Sequence, residues 1–347
     1  MAKERILEVE NLTVAFKTYG GSVQAVRGTD FYLDKGETLA IVGESGCGKT
    51  VTAKAIMGLL PIDNTTIGNE NSKIMFNGRN LIKLTEGELA DLRGKEISMI
   101  FQDPMTSLNP TMRIGEQIAE SVLIHNQISK EKAKEIAIKM LKLVQIPNPE
   151  ERYKQYPFEF SGGMRQRVMI AIALACDPKI LIADEPTTAL DVTIQAQIMK
   201  LINELKKDLD TGVILVTHDL GVVAGAADRI IVMYAGKIVE SGRTEDIFYN
   251  LKHPYTYALL QSVPKLTKDT SKKLYSLQGT PPDLIDPPKG CGFAPRCDFA
   301  MKICSIKTPE KTTFAEGHEA YCWLHHEKAN TQGVPELILT RGESSGK

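Results

Sequence analysis

Residues 43–50 have the sequence Gly-Glu-Ser-Gly-Cys-Gly-Lys-Thr, the spacing of a phosphate-binding loop. Such a loop needs glycines because its backbone N–H groups must wrap phosphate oxygens at φ values that are closed to larger residues. The helix after the loop would direct its N-terminal dipole at the same anion. Lys49 would add a positive charge toward the β- and γ-phosphates, and the hydroxyl of Thr50 could bind Mg²⁺. The loop therefore predicts a site for nucleotide phosphates, but no particular reaction.

Four polar residues that follow apolar runs indicate what could happen to that nucleotide. Asp184 and Glu185 come after Ile-Leu-Ile-Ala, and Gln102 comes after Ile-Phe. His218 closes another apolar run. Each run predicts a buried strand, and parallel strands deliver such residues to the carboxyl edge of a sheet, where these folds bind ligands. Asp184 would hold Mg²⁺, Gln102 could reach that ion or the attacking water, and Glu185 could polarise the water. His218 would contact the γ-phosphate, although a single histidine is more often a structural hydrogen-bonding group.

A second glycine-rich turn, Ser161-Gly162-Gly163, precedes a helical pattern from Arg165 to about Cys176. A small hydroxyl and two glycines at the start of a helix would make another anion-binding N-terminus. One chain already has its own phosphate loop. A second anion site therefore implies that two nucleotide-binding subunits share ATP and lend this turn to each other. The alternative is an ordinary glycine-rich N-cap.

Four of the six cysteines lie close together near the end of the chain: Cys291, Cys297, Cys304 and Cys322. In a reducing compartment this clustering favours metal binding over disulfides. The spacing lacks the two close Cys pairs of common zinc ribbons. Four thiolates could hold a [4Fe–4S] cluster, a zinc ion could bind with help from His325 and His326, or the thiols could be free or oxidised. Cys47 lies in the phosphate loop, where a helix N-terminus could lower the pKa of its thiol.

The composition narrows the class of protein. A chain of 347 residues is long enough for a nucleotide-binding α/β core with an appended segment. Charged residues make up 24% and the formal net charge is −1, so nothing suggests a long nucleic-acid groove. No stretch approaches the roughly 20 apolar residues that span a bilayer, and the start of the chain has no apolar signal region. We expect a soluble cytoplasmic protein that reaches a membrane only through partner subunits.

The elements that must position these residues alternate between strands and helices, which predicts a mainly parallel α/β sheet with crossovers. We expect strands at 6–16, 24–33, 38–42, 97–101, 180–183 and 213–217, and a hairpin over 230–240 that turns at Ala235 and Gly236. Helices are expected from Thr50 to about Leu60 and over 194–209, with a loop over 62–73.

Two further segments lie outside this alternation. Between Gln102 and Ser161, the spacing of Ile136, Met140, Leu143 and Val144 predicts a helical insertion between two motifs of one site. After about Leu260, prolines such as Pro264 interrupt any long element. That tail lacks the apolar periodicity of an independent core, so something else must stabilise it.

This ordered set of motifs resembles the ATP-binding cassette (ABC) ATPases over roughly residues 5–250. In that family the motifs are Walker A (43–50), the Q-loop (Gln102), the signature (160–164), Walker B (180–184), the D-loop (Ala189 to Asp191) and the switch histidine (His218). The resemblance implies an α/β P-loop ATPase core with an antiparallel β subdomain and a helical subdomain at about 103–160 that touches membrane partners. It also implies a head-to-tail dimer with two ATP molecules between Walker A and the opposing signature, and Glu185 as the catalytic base.

The resemblance also assigns ligand contacts. Within one chain, ATP would be bound by Tyr19, Gly43, Ser45, Gly46, Cys47, Gly48, Lys49, Thr50, Val51 and Gln102. Mg²⁺ would be bound by Thr50, Gln102 and Asp184, and the ATP of the opposing subunit by Ser161, Gly162, Gly163, Met164 and Asp191. Tyr19 would stack on adenine, with Phe16 as the alternative. The signature departs from the commonest Leu-Ser-Gly-Gly-Gln at Phe160 and Met164, but its serine and both glycines remain.

The tail carries a narrower resemblance. Segments 253–260, 287–288 and 291–297, together with 77–81 and 101–110, resemble the ATPases of dipeptide and oligopeptide (and related nickel) importers. This implies an ABC nucleotide-binding domain over 1–255 and a C-terminal oligopeptide-transporter-type extension over 256–347, in which some members carry a [4Fe–4S] cluster. The chain would hydrolyse ATP at the cytoplasmic face of the membrane to power peptide uptake. Its partners would be two permease subunits, an extracytoplasmic binding protein and a non-identical sister ATPase.

Three other functions stay open. The chain could serve a related nickel or other small-solute importer. It could be a soluble ABC ATPase that acts on DNA or ribosomes, although the single cassette and the near-zero net charge disfavour this. It could also be an iron-responsive regulator in which the cysteine-containing tail is the primary element.

Overall fold

A long antiparallel hairpin opens the structure, because apolar and polar residues alternate along its two strands.

The computed structural model describes residues 4–188, 190–262 and 277–339, so Ala189 of the expected D-loop and Pro264 lie outside the described residues. The strands are β1 (Arg5–Thr18), β2 (Gly21–Asp34), β3 (Thr38–Val42), β4 (Thr65–Ile67), β5 (Lys73–Phe76), β6 (Arg79–Asn80), β7 (Ile97–Ile100), β8 (Ile180–Asp184), β9 (Gly212–Thr217), β10 (Arg229–Tyr234), β11 (Lys237–Arg243), β12 (Thr312–Ala315) and β13 (His318–Ala320). The helices are α1 (Lys49–Ile56), α2 (Glu86–Leu92), α3 (Pro104–Ser107), α4 (Ile114–His125), α5 (Lys130–Leu143), α6 (Pro149–Arg152), α7 (Gly162–Leu174), α8 (Val192–Leu209), α9 (Leu220–Ala224), α10 (Thr244–Tyr249), α11 (Pro254–Ser262), α12 (Lys302–Ile306) and α13 (Glu336–Leu339).

The central sheet has the strand order β12-β13-β11-β10-β3-β9-β8-β7. Strands β10, β3, β9, β8 and β7 run parallel, and all of their residues are buried. Burial on both faces explains why these strands read as continuous apolar runs rather than as alternating patterns. The expected strands are confirmed, except that β7 ends at Ile100 and leaves Phe101 39% exposed.

A second, antiparallel sheet pairs β2, β1, β5 and β6 in that order, with β4 added to β1. The prediction of a loop over 62–73 is therefore wrong in part, because β4 pairs with residues 14–16 and Lys73 begins β5. The three residues of β4 are too few to show a period of two. Their pairing depends on the long neighbouring strand β1.

The predicted helical insertion is confirmed as α3 to α6. In α5 the buried positions are Ala133, Ala137, Met140 and Leu141, whereas Leu143 is 37% exposed. The buried face of α5 therefore includes small alanines. The prediction used only the large apolar residues and so placed Leu143 on that face wrongly. The helix after the phosphate loop ends at Ile56, short of the predicted Leu60, because Gly58 adopts a left-handed φ of +61°. Within the described ranges, no helix is long and apolar enough to cross a membrane.

The tail is attached to the central sheet by strand addition, since β13 pairs with β11 and β12 pairs with β13. Glu240 of β11 is fully buried and accepts hydrogen bonds from the backbone N–H groups of Lys252 (2.6 Å) and His253 (3.0 Å). Its Oε1 also lies 3.1 Å from Nε2 of His318 in β13. These partners compensate the desolvation of the carboxylate. The sheet thus helps to stabilise a tail whose own buried cluster is small, in which Leu324 and Ile338 pack with Leu251.

Candidate active site

The phosphate loop connects β3 to α1 with the backbone geometry that its glycines predict. Gly43 and Gly48 have φ values of +153° and +104°, which L side chains rarely adopt. A Cβ atom at Gly43 would lie 2.3 Å from the carbonyl oxygen of Met233, and one at Gly48 would lie 2.5 Å from that of Ala25. Both glycines are therefore required by close backbone approach as well as by φ.

Lys49 and Thr50 are fixed by hydrogen bonds at the start of α1. The buried ammonium of Lys49 donates to the carbonyl oxygens of Gly43 and Glu44, at 2.8 and 3.0 Å. The hydroxyl of Thr50 donates to Oδ1 of Asp184 at 2.9 Å, at the carboxyl end of β8. Burial raises the pKa of Asp184, and the hydrogen bond from Thr50 opposes that rise. A hydroxyl and a carboxylate side by side provide the hard oxygen ligands that Mg²⁺ prefers.

Glu185 is the centre of a hydrogen-bonded group at the same sheet edge. Its Oε2 accepts from Nε2 of Gln102 at 3.1 Å and from Oγ1 of Thr188 at 2.9 Å. Its Oε1 lies 3.1 Å from Nδ1 of His218. Burial alone would raise the pKa of Glu185, but the hydrogen bonds with His218 and Thr188 outweigh burial and lower it. The carboxylate is therefore ionised near neutral pH, as a group that orients or polarises water must be.

Sequence reasoning missed Thr188. It lies three residues after Glu185 in the turn that follows β8, and its own backbone N–H donates to the Glu185 carbonyl at 3.2 Å. A hydroxyl residue three positions after a strand-end glutamate is the signal that could have found it, because such turns bring i and i+3 together.

The site opens into a cavity of about 1040 Å³ lined by the phosphate loop, Val51, Gln102, Glu185 and His218. Its wall also includes Leu259 of α11 and, farther along the tail, Leu277 and Pro281. A cavity of this size suits a nucleotide-sized ligand. The tail residues could not be predicted as site residues, because they match no phosphate-binding pattern and reach the loop only through the fold.

The signature turn lies at the start of α7, as predicted. The helix itself begins at Gly162, earlier than the expected Arg165. Ser161 is the N-cap of this helix, and its Oγ accepts from the backbone N–H of Met164 at 3.4 Å. Phe160 is buried and anchors the turn, whereas Ser161 and Gly162 are exposed. The described lining of the nucleotide cavity includes none of 160–164. The turn therefore lies outside the cavity formed by its own chain.

Asp191 has a similar place at the start of α8. Its carboxylate is exposed and accepts from the backbone N–H of Ile194 at 3.0 Å. Gly163 of the signature helix packs against this segment, since a Cβ there would lie 3.0 Å from Cγ2 of Ile194. The two predicted contacts to an opposing subunit are thus neighbours on one exposed face.

Tyr19 and Phe16, the two residues expected to stack on adenine, differ in exposure. Tyr19 lies in the β1–β2 turn with its side chain fully exposed. Phe16 is half-buried and packs against the apolar core beneath the antiparallel sheet. Neither ring is among the described residues that line the cavity. Of the two rings, only that of Tyr19 is free of packing.

The prediction of a lowered thiol pKa at Cys47 is wrong. Cys47 is 5% exposed, and burial raises the pKa of its thiol more than nearby Lys49 lowers it. Its Sγ packs behind the loop, where a Cβ on Gly43 would come within 2.8 Å of it. Cys47 therefore supplies backbone to the loop, and its thiol is a neutral packing group.

The four tail cysteines converge on one small cavity of about 20 Å³, whose other walls include Phe293, Phe299 and Leu324. Burial raises the pKa of the thiols of Cys291 and Cys322, and it raises that of Cys297 to about 12. Among the described residues, no group of three or more His, Cys, Asp or Glu side chains is arranged to hold a metal ion.

The two histidines that were considered as zinc ligands lie outside this cavity lining. His325 places Nε2 2.6 Å from the carbonyl oxygen of Lys252, and Nδ1 of His326 accepts from the backbone N–H of Lys328. One ring nitrogen of each histidine thus already has a backbone partner. The mixed Cys/His zinc site is therefore not supported by this geometry.

Comparison with known families identifies the same family as the sequence motifs do. A family model described as "ABC transporter" matches residues 26–188, and one described as "Oligopeptide/dipeptide transporter, C-terminal region" matches residues 239–304. The oligopeptide transport ATP-binding protein OppD of Bacillus subtilis is 56% identical over 337 residues, which cover 97% of this chain and 94% of that relative. The dipeptide transport ATP-binding protein DppD of Lactococcus lactis is 54% identical over 343 residues, or 98% and 97% of the two chains.

Solved structures give the same fold. The dimeric ATP-binding cassette MJ0796, in a post-hydrolysis state bound to ADP and Pi, is 27% identical to this chain with a TM-score of 0.61. The similarity covers 69% of this chain and 99% of that one. CbiO1 of Clostridium perfringens, part of an ABC transporter complex, is also 27% identical, with a TM-score of 0.60 over 71% and 91% of the two chains. With its two sheets, its phosphate loop and relatives similar over nearly their whole length, this chain belongs to the ABC ATPases, in the family of oligopeptide and dipeptide transport ATP-binding proteins.

Proposed function

We propose that this chain is the ATP-hydrolysing subunit that powers import of dipeptides and oligopeptides through a partner membrane permease. The observation that carries the proposal is the group around Glu185 beside the phosphate loop, in a chain similar to peptide-transport ATPases over 97% of its length. The C-terminal region model extends that similarity into the tail. We divide the chain into a nucleotide-binding domain over 1–255 and an extension over 256–347.

The side chains have distinct roles in hydrolysis. The glycine N–H groups and Lys49 bind the phosphates of ATP. Thr50, Asp184 and Gln102 would hold Mg²⁺. When bound, Mg²⁺ neutralises phosphate charge in phosphoryl transfer. Glu185 orients the attacking water and accepts its proton. His218 fixes the Glu185 carboxylate and reaches toward the γ-phosphate.

The exposed signature face supports the proposal of a head-to-tail dimer. Ser161, Gly162, Gly163, Met164 and Asp191 bind the ATP held by the loop of the other ATPase. Because these groups lie outside the cavity of their own chain, they are available to the opposing subunit. The complete assembly contains a non-identical sister ATPase, two permease subunits and an extracytoplasmic binding protein, with this chain at the cytoplasmic face of the membrane.

The convergence of Cys291, Cys297, Cys304 and Cys322 supports a [4Fe–4S] cluster in the extension. All four thiols line one small cavity, and four thiolates are the ligand set that such a cluster takes. Their spacing in the chain lacks the two close Cys pairs of common zinc ribbons. Bound metal would supply the charge that stabilises buried thiolates.

Metal analysis tests this assignment on the full chain, purified without oxygen. About four irons and four sulfides per chain are expected, with loss of iron in Cys297→Ser and retention in Cys176→Ser, which lies outside the array. Roughly one zinc and no iron would overturn the cluster in favour of a structural zinc. Absence of both metals in protein purified in this way would overturn both assignments.

Uptake by cells tests the transport function. Cells that lack this chain but keep the permease, binding protein and sister ATPase should regain uptake of labelled peptides with the natural chain. Glu310→Gln, which changes an exposed residue of the extension, should also restore uptake, and Glu185→Gln should not. Restored nickel uptake without peptide uptake would favour the nickel-importer alternative. Copurification with ribosomes or nucleic acid, and not with a permease, would favour a soluble ATPase.

A further inference from the structure

Arg296 in the extension forms a bidentate ion pair with Glu44 of the phosphate loop. Its Nη1 and Nη2 atoms lie 2.5 and 3.0 Å from Oε2 and Oε1 of the carboxylate. The Arg296 side chain is 4% exposed and that of Glu44 is 29% exposed, so solvent screens the pair weakly on the guanidinium side. The two residues are 252 positions apart in the chain. The pair is thus a long-range link between the extension and the residue that follows the first glycine of the loop.

The other donors of Arg296 are also paired. Nε donates to the carbonyl oxygen of Gln278 at 2.9 Å, and Nη2 to that of Leu277 at 3.4 Å. Nη1 donates to the hydroxyl of Tyr234 at 3.2 Å. Because the guanidinium is planar and its donors point in fixed directions, partners on several sides set its orientation. Arg296 therefore presents a fixed fork to the Glu44 carboxylate.

Glu44 is bound through its backbone as well as through its side chain. Its N–H donates to the hydroxyl of Tyr255 at 2.8 Å, and its carbonyl accepts from Nζ of Lys49 at 3.0 Å. Tyr255 is fully buried in α11, with its ring 4.6 Å from that of Tyr234. The residue that Arg296 holds is therefore the residue whose carbonyl positions the phosphate-binding lysine.

The turn that carries Arg296 is continuous with the cysteine array. Ala294 donates its N–H to the carbonyl oxygen of Cys291 at 3.1 Å, and Cys297 donates to the carbonyl oxygen of Ala294 at 3.3 Å. Cys297 directly follows Arg296 in the chain. The position of the guanidinium thus depends on the backbone of two cysteines that line the small cavity.

We propose that Arg296 is a positioning residue for ATP binding, which acts through Glu44 to hold the phosphate loop and Lys49 in the arrangement that accepts phosphates. The inference rests on the proposed function, since ATP is taken as the ligand of the loop. Without Arg296, the Glu44 carboxylate would lack its buried cationic partner, and the phosphate loop would lack a contact that holds it in place. Part of the free energy of ATP binding then goes into ordering the loop, and the affinity falls.

A double-mutant cycle on the full chain tests the inference, with Mg²⁺ and the fluorescent nucleotide mant-ATP as the probe. Arg296→Gln and Glu44→Gln should each raise the Kd by roughly tenfold, and the double variant should bind no more weakly than either single one, because both remove the same interaction. Arg296→Lys keeps the charge without the fork, so its Kd should be intermediate. In steady-state hydrolysis the loss should fall on KM more than on kcat, which distinguishes positioning from a part in the chemical step.

Glu310→Gln is the matched control, because it removes an exposed ion pair with Lys307 (3.1 Å) from the same extension. It should leave the Kd unchanged. If Arg296→Gln does not fold, as judged by circular dichroism, Glu44→Gln and Arg296→Lys still decide the question. An unchanged Kd in the folded variants, or losses that multiply in the double variant, would overturn the role of Arg296. Failure of the unsubstituted chain to bind mant-ATP would instead overturn the proposed function.

Discussion

The hydroxyl of Thr50 donates a hydrogen bond of 2.9 Å to Oδ1 of Asp184, although the two residues are 134 positions apart. Thr50 is the second residue of α1, and Asp184 is the last residue of β8. The loop after β3 and the carboxyl end of β8 are brought together because both strands belong to one parallel sheet, on either side of β9. The relationship places two of the three expected Mg²⁺ ligands within reach of a single ion.

The first prediction concerns Thr50→Val, a substitution that removes the hydroxyl and keeps the shape of the side chain. The Mg²⁺ concentration for half-maximal ATP hydrolysis should rise by roughly 10–100-fold, the range typical when groups that support a metal site are lost. Thr50→Ser keeps the hydroxyl and should behave as the natural chain does. An unaltered Mg²⁺ dependence in Thr50→Val would show that Thr50 is not a ligand.

Glu185→Gln is the second prediction. It preserves the size of the side chain but removes the charged acceptor that lies 3.1 Å from both Gln102 and His218. Hydrolysis should fall by roughly 10²–10⁴-fold, the usual contribution of a general base, while ATP-bound dimers accumulate and can be counted by gel filtration. The exposed Glu135→Gln is the control. Undiminished turnover would rule out Glu185 as the base.

The convergence of Glu185, Gln102 and His218 could be predicted from the sequence. Each residue follows an apolar run, and buried parallel strands must place their carboxyl ends at one edge. The order of the strands was not needed for that inference. Thr188 was missed because its contact depends on the turn after β8, which apolar periodicity does not describe.

The link between Arg296 and Glu44 could not be predicted in this way. It joins an irregular tail to a loop across 252 positions, and neither segment has a period that fixes its side-chain directions. Close to Arg296, the ring of Phe293 packs against those of Tyr234 and Tyr255, which holds this part of the tail beside the phosphate loop. The packed face of α5 could also not be predicted fully from the sequence. Its buried alanines help to define that face, and the spacing of its large residues placed Leu143 there wrongly.

Tyr19→Ala is the third prediction, and it decides which aromatic ring stacks on adenine. Loss of a ring that stacks on a base costs about 1–3 kcal/mol, or roughly 5- to 150-fold in affinity. Because stacking needs the ring and not the hydroxyl, Tyr19→Phe should keep the Kd for mant-ATP. If Phe16→Ala weakens binding in folded protein and Tyr19→Ala does not, Phe16 is the stacking residue and the assignment of Tyr19 is wrong.

Gly115→Ala is the fourth prediction, and it tests the packing of the helical subdomain. A Cβ at Gly115 in α4 would lie 2.0 Å from Cδ2 of Tyr153, so the ring or the helix must move. Overpacking of this kind should destabilise the protein by about 1–3 kcal/mol, seen as a lower melting temperature. Gly87→Ala in α2 is the matched control, because nothing lies within 4 Å of its Cβ position. That substitution should stabilise the protein by about 0.5–1 kcal/mol, through the higher helix propensity of alanine. Equal melting temperatures for the two variants would show that Tyr153 does not pack against α4 as described.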